Sequence, residues 1–148
     1  MIRSAVIGLG DIAQVHIPGI LSLKNASLVA GCDIDPSRKS SLPGGTAFYT
    51  NYEDMLKQEK PDVVHICLPH YLHYPVAKAV AEAGCNIFAE KPLALNGEEA
   101  AEYVLLEKKY GVKICLCLQN RCNPTSETLY QLLRSGTYGK VTGVRGVV

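Results

Sequence analysis

The chain has 148 residues, 47% of them hydrophobic, which is enough for one domain with a real core and a fraction of another. Its 15 basic and 14 acidic side chains leave a formal net charge of +1, so no electrostatic footprint for nucleic acid or an anionic membrane stands out. No apolar run reaches the roughly 18 residues of a membrane span and no secretory leader opens the chain, so a soluble, cytoplasmic protein is expected.

Ile2–Gly8 reads as an apolar first strand. Ile12–Lys24 follows as a helix, with Ile12, Val15, His16, Ile20 and Leu23 near one face. Leu28–Asp33 is a second strand, Ala47–Tyr49 a weak third, and Tyr52–Gln58 a short helix. Val63–Leu68 is a continuous apolar run of the kind covered on both faces. Tyr74–Ala83 is a helix with Pro75 in its first turn and Gly84 as its stop, and Asn86–Ala89 is the next strand. Asn96 caps a helix over Gly97–Tyr110, whose Glu98 and Glu99 favour its positive end and whose Lys108 and Lys109 favour its negative end. Gly111 ends it, and Val112–Leu118 is a sixth strand.

This alternation predicts βαβ units and an α/β fold with a doubly wound parallel sheet. The character changes after Leu118. A polar break at 119–124 leads to a helix over Ser126–Arg134, a glycine turn, and the apolar end Val141–Val148. That end reads as the first strand of a second, α+β domain that is cut short, or as an edge strand added to the first sheet. The expected division is 1–120 and 121–148. The six cysteines (Cys32, Cys67, Cys85, Cys115, Cys117 and Cys122) contain no C-x-x-C pair and lie mostly in or beside the β-type runs. They are expected to be reduced and structural.

Between the first strand and first helix stands Gly8-Leu9-Gly10-Asp11-Ile12-Ala13. In that context Gly8 permits a tight turn, Gly10 lets a pyrophosphate approach the backbone, and Ala13 keeps helix and strand close. The phosphates would meet the N–H groups of the helix start. Asp33 ends the second strand, where a carboxylate accepts from both ribose hydroxyls and repels a 2′-phosphate. NAD is therefore expected over NADP, although Arg38 or Lys39 could pair with a 2′-phosphate. Pro69, His70 and His73 follow the fourth strand at the carboxyl edge of the sheet, where ligands of such folds bind. His70 and His73 have no third metal ligand nearby, and no metal is expected; His73 reads as a helix-start hydrogen-bonding residue beside the cofactor. His16 and His65 read as packing residues. Glu90 and Lys91 follow the fifth strand at the same edge, where a lysine could hold a substrate hydroxyl or lie in an ordinary turn.

Gly8-x-Gly10-x-x-Ala13, Cys32-Asp33-x-Asp35-Pro36, Leu68-Pro69-His70-x-x-His73 and Ala89-Glu90-Lys91-Pro92-Leu93-Ala94 together resemble the amino-terminal half of the glucose–fructose oxidoreductase/inositol dehydrogenase (Gfo/Idh/MocA) family. Gln119-Asn120-Arg121 and Gly136-x-x-Gly139-Lys140-Val141 resemble the passage into that family's second domain. The resemblance implies a Rossmann domain and NAD(P)-dependent hydride transfer with a sugar, cyclitol or related alcohol. The implied cofactor-binding set is Gly8, Gly10, Asp11, Ile12, Ala13, Asp33, Pro69, His70, His73, Glu90 and Lys91. Lys91 would be the catalytic lysine, and Pro92 would follow a cis peptide bond. His70 stands where the family usually has Asn. Family members are usually more than twice this long, and their second domain supplies substrate contacts, a catalytic His and Asp, and much of a homo-oligomer interface. The expectation is a truncated chain that binds cofactor but turns over little substrate. A non-catalytic NAD(P) sensor of the same fold is the alternative.

Overall fold

The computed structural model describes residues 1–146. Strands β1 (Ile2–Ile7), β2 (Ala26–Cys32), β3 (Ala47–Tyr49), β4 (Val63–Ile66), β5 (Asn86–Glu90) and β6 (Ile114–Cys117) form one sheet in the order β3-β2-β1-β4-β5-β6. Every pairing is parallel. Helices α1 (Ala13–Ser22), α2 (Tyr52–Glu59), α3 (His73–Glu82) and α4 (Gly97–Tyr110) make the crossovers. The chain order reverses between β1 and β4, which opens a crevice beyond their carboxyl ends, the ligand position of doubly wound sheets. The expected α/β fold is the one observed.

Both faces are packed, as continuous apolar strands require. One face joins Ala5, Ile7, Val64, Ile66 and Ile87 to Val76, Val80, Tyr103 and Leu106 of α3 and α4. The other joins Val6, Leu28 and Cys67 to Ala13, Ile17 and Ile20 of α1. Here the expected helix face needs correction. Val15 is 67% exposed and Leu23 54%, while the buried row is Ala13, His16, Ile17 and Ile20. That row has the i, i+3, i+4, i+7 spacing of one helix stripe, and Ile12, Val15 and Leu23 lie one row over. The Asn96 cap forms as read, its side chain accepting from the Glu99 N–H, and Gly111 closes α4 in the left-handed region.

The chain divides into two compact units, the first ending at Cys117 and the second beginning at Leu118. In the second, Asn123 accepts from the Thr125 N–H and Pro124 opens α5 (Pro124–Arg134), two residues earlier than expected. The strand expected over Val141–Val148 is absent from 141–146, where the chain is exposed and no strand pairs with it; Val147 and Val148 lie outside the described residues. A lone strand has no ladder to satisfy its backbone groups. Among the described residues no helix is long and apolar enough to cross a membrane.

The cysteines separate into two groups. Cys32, Cys67 and Cys85 are buried and Cys117 is half-buried, whereas Cys115 and Cys122 are exposed, so burial does not support the structural reading for the last two. Strand β6 lies at the sheet edge, which leaves its apolar-looking run only partly covered. Burial first, then the Asp33 carboxylate, pushes the Cys32 thiol up to about 11. Burial, with Glu90 and Cys117 nearby, pushes Cys67 up to about 12. Since the thiolate is the nucleophile, native-state alkylation followed by mass spectrometry should label Cys115 and Cys122 at least ~100-fold faster than Cys32 and Cys67. Equal labelling would contradict this packing.

Candidate cofactor-binding site

The site is built on the turn between β1 and α1. Gly8 has φ +88°, and a Cβ there would lie 2.3 Å from the Cys67 carbonyl oxygen, so both its conformation and its neighbour demand glycine. Its N–H donates to the Cys32 carbonyl at 2.8 Å, tying the turn to the end of β2. A Cβ on Gly10 would meet nothing within 4 Å. Open space therefore adjoins the backbone where a phosphate would approach.

The first hydrogen bond of the helix start runs from Ala13 N–H to the Gly10 carbonyl. The N–H groups of Gly10, Asp11 and Ile12 have no partner among the described residues. These are the orphan donors of a helix start, aligned with the positive end of its dipole, and they suit an anion.

Asp33 follows β2 beside this turn. Its Oδ2 accepts the Leu9 N–H at 2.8 Å, and its Oδ1 accepts the Asp35 N–H at 3.0 Å. Each oxygen keeps a lone pair for a hydroxyl donor. The carboxylate thus braces the glycine turn as well as offering acceptors, a duty the sequence reading missed. Arg38 lies 4.0 Å from the Asp35 carboxylate.

Pro69 and His70 are exposed after β4, and Lys91 is exposed after β5. Because all strands are parallel and β4 lies between β1 and β5, these residues share one sheet edge with Gly8–Ala13 and Asp33. His73 opens α3 as expected but is 0% exposed, and its ring nitrogens lie 2.8 Å from the Pro92 and Leu68 carbonyl oxygens. It ties the end of β4 to the segment after β5, leaving neither ring nitrogen for a ligand. The Lys91–Pro92 peptide bond is cis.

Glu90, His16 and His65 behave differently from the reading. His16 is 8% exposed and Glu90 7%, and His16 Nε2 lies 2.9 Å from Glu90 Oε1. His16 Nδ1 lies 2.9 Å from His65 Nδ1, so the two histidines, whose rings pack on Phe88 as read, are also members of a polar network. Burial opposes ionisation of Glu90, yet hydrogen bonds from His16 and Cys117 hold its carboxyl below the ordinary range. Burial, then His16, lowers His65 to about 4, which makes it a neutral partner. Residues 16, 65, 90 and 117 are scattered in sequence; the sheet register sets 65, 90 and 117 on neighbouring strands, and the packing of α1 adds 16.

A hollow at the opposite, amino edge is lined by Lys57, Asp62, Glu82 and Asn86 and contains none of these motifs.

The family model described as an oxidoreductase family with an NAD-binding Rossmann fold matches residues 2–117. The chain belongs to this Gfo/Idh/MocA family. Among curated relatives, D-glucoside 3-dehydrogenase of Escherichia coli (strain K12) is 31% identical over 144 residues, covering 95% of this chain and 41% of that protein. The solved structure of the WlbA dehydrogenase from Bordetella pertussis, in complex with NADH and UDP-GlcNAcA, matches with TM-score 0.88 and 30% identity, covering 94% of this chain and 43% of that one. Scyllo-inositol dehydrogenase from Lactobacillus casei, with bound NAD(H) and scyllo-inositol, superposes with TM-score 0.89 at 23% identity over 96% of this chain and 43% of that one, a likeness of fold. The Gfo/Idh/MocA chain described here thus spans less than half the length of these relatives.

Proposed function

We propose that this chain is the NAD(H)-binding part of a dehydrogenase that oxidises or reduces a sugar, cyclitol or related alcohol. The observation that carries the reading is the row of three unpartnered N–H groups at Gly10, Asp11 and Ile12, beside the open space at Gly10. These donors suit the pyrophosphate, with Gly8 and Ala13 shaping the turn. Asp33 suits the adenosine ribose hydroxyls and repels a 2′-phosphate, which favours NAD over NADP. Arg38 is turned to Asp35, which weakens its claim on such a phosphate. Pro69, His70, His73, Glu90 and Lys91 are assigned to the nicotinamide end of the same edge, with Glu90 and His73 acting by bracing the loops.

When bound, the nicotinamide ring supplies or accepts the hydride. Lys91 is assigned the substrate oxygen, where its ammonium donates a hydrogen bond and stabilises negative charge as the hydroxyl proton leaves. The residues from 118 onward are assigned to the start of the domain that completes substrate binding, and the whole protein to a cytoplasmic homo-oligomer without nucleic-acid or membrane partners. The near-neutral charge supports the last point.

Calorimetric titration of this chain tests the reading. NAD should bind, and at least ~10-fold more tightly than NADP, given one unfavourable charge contact of about 1.4 kcal/mol or more. Failure to bind either nucleotide overturns the cofactor assignment; tighter binding of NADP overturns the role given to Asp33.

A further inference from the structure

We propose that His16, Glu90 and Cys117 form a binding site for a thiophilic divalent cation, Zn²⁺ in the first instance. One ligand atom from each lies within 4.8 Å of the other two. The placement follows from the register. Glu90 and Cys117 are direct partners across β5 and β6, so their side chains leave the same face of the sheet about 4.8 Å apart. Helix α1 lowers His16 onto that face, where Nε2 already meets Glu90 Oε1 at 2.9 Å.

The chemistry suits Zn²⁺. Thiolate, imidazole and carboxylate are its ordinary donors, and bond lengths near 2.0–2.3 Å place tetrahedral ligand atoms about 3.3–3.7 Å apart. The His16–Glu90 contact is shorter than that range at 2.9 Å and no separation exceeds 4.8 Å, so side-chain adjustment suffices. A thiolate and a carboxylate neutralise the two charges of the ion, which suits a largely buried position. The thiol proton of Cys117 is released to solvent on binding. Coordination needs Nε2 of His16 without its proton, so the ring proton that Nε2 shares with Glu90 in the metal-free site moves to Nδ1, where it donates to His65 Nδ1, 2.9 Å away. His65 Nδ1 is then the outer acceptor that fixes the ligand ring, in the place more often held by a carboxylate, backbone carbonyl or water. Three protein ligands leave the fourth position to water, reached from the half-buried Cys117 side. The set is separate from the His70/His73 pair.

The chain, reduced and stripped with chelator, is titrated with Co²⁺ as a spectroscopic stand-in. The expected result is one equivalent bound, with intense visible absorption of a tetrahedral ion and a thiolate charge-transfer band, both displaced by Zn²⁺. Cys117→Ser and His16→Gln should remove these bands, His65→Phe should weaken binding by ~10-fold or more, and Cys115→Ser and Cys122→Ser should change nothing. In the unaltered chain, Zn²⁺ should slow alkylation of Cys117 at least tenfold without affecting Cys122, a readout independent of how any variant folds. Absence of a tetrahedral spectrum, its survival in Cys117→Ser, or equal Cys117 alkylation with and without Zn²⁺ overturns the site. The nucleotide titration, run in chelator, is unaffected by either result.

Discussion

Gly8→Ala should destabilise the chain by about 4 kcal/mol, whereas Gly10→Ala should leave the fold intact and remove nucleotide affinity. The first figure combines about 1–3 kcal/mol for a side chain held at φ +88° with about 1–3 kcal/mol for forcing a Cβ against backbone. The obstacle is the Cys67 carbonyl oxygen at 2.3 Å, part of the main chain next to the sheet, which cannot swing aside as a flexible side chain would. Domains are stable by only about 5–15 kcal/mol, so this is a large share of the total. At Gly10 the same added methyl enters open space, and its effect on stability should stay within about 0.5 kcal/mol. Urea denaturation and nucleotide calorimetry on the pair separate the two roles. If Gly10→Ala bound NAD as tightly as the unaltered chain, the pyrophosphate would not lie against that turn.

The second large effect is expected at Lys91, measured in the full-length protein. Lys91→Ala should lower turnover by ~10²–10⁴-fold, the usual contribution of a positioned proton-transfer or charge-stabilising group. NAD affinity should stay near normal, because the phosphate and ribose contacts lie on the β1 and β2 turns. An exposed lysine at the carboxyl edge of β5 can touch substrate while contributing little to the core, so thermal stability should hardly move. Unchanged turnover would remove Lys91 from the reaction.

The strands, the parallel doubly wound sheet and the glycine turn were legible from the chain because each rests on local signals: apolar runs bounded by caps, and a Gly-x-Gly-x-x-Ala spacing between strand and helix. The face of α1 was misread because Ile12, Val15 and Leu23 are apolar yet one row off the contact with Val6 and Leu28. Hydrophobicity marks a helix but does not choose between adjacent rows; the partner surface does. The polar network of His16 and His65 was missed for a related reason. A histidine in an apolar run looks like packing until a distant carboxylate, here Glu90, comes within 2.9 Å. The second hydrogen-bonding duty of Asp33 was hidden because Leu9, whose N–H it holds, is 24 residues away. The strand expected at Val141–Val148 shows the opposite limit: over 141–146, propensity without a paired neighbour does not make a strand.

The close approach of Gly8 to Cys67 also has a consequence for synthesis. The turn is made well before the residues that complete it: its floor is the Cys67 carbonyl and its brace is Asp33. Strand β1 waits for β4, whose register with it (Val6 opposite His65, Ile7 opposite Ile66) closes only after some sixty further residues are made. A nascent chain therefore carries an unassembled anion nest until β4 and the residue after it clear the exit tunnel. Until then the first half of the chain is held by contacts among β1, α1, β2, β3 and α2.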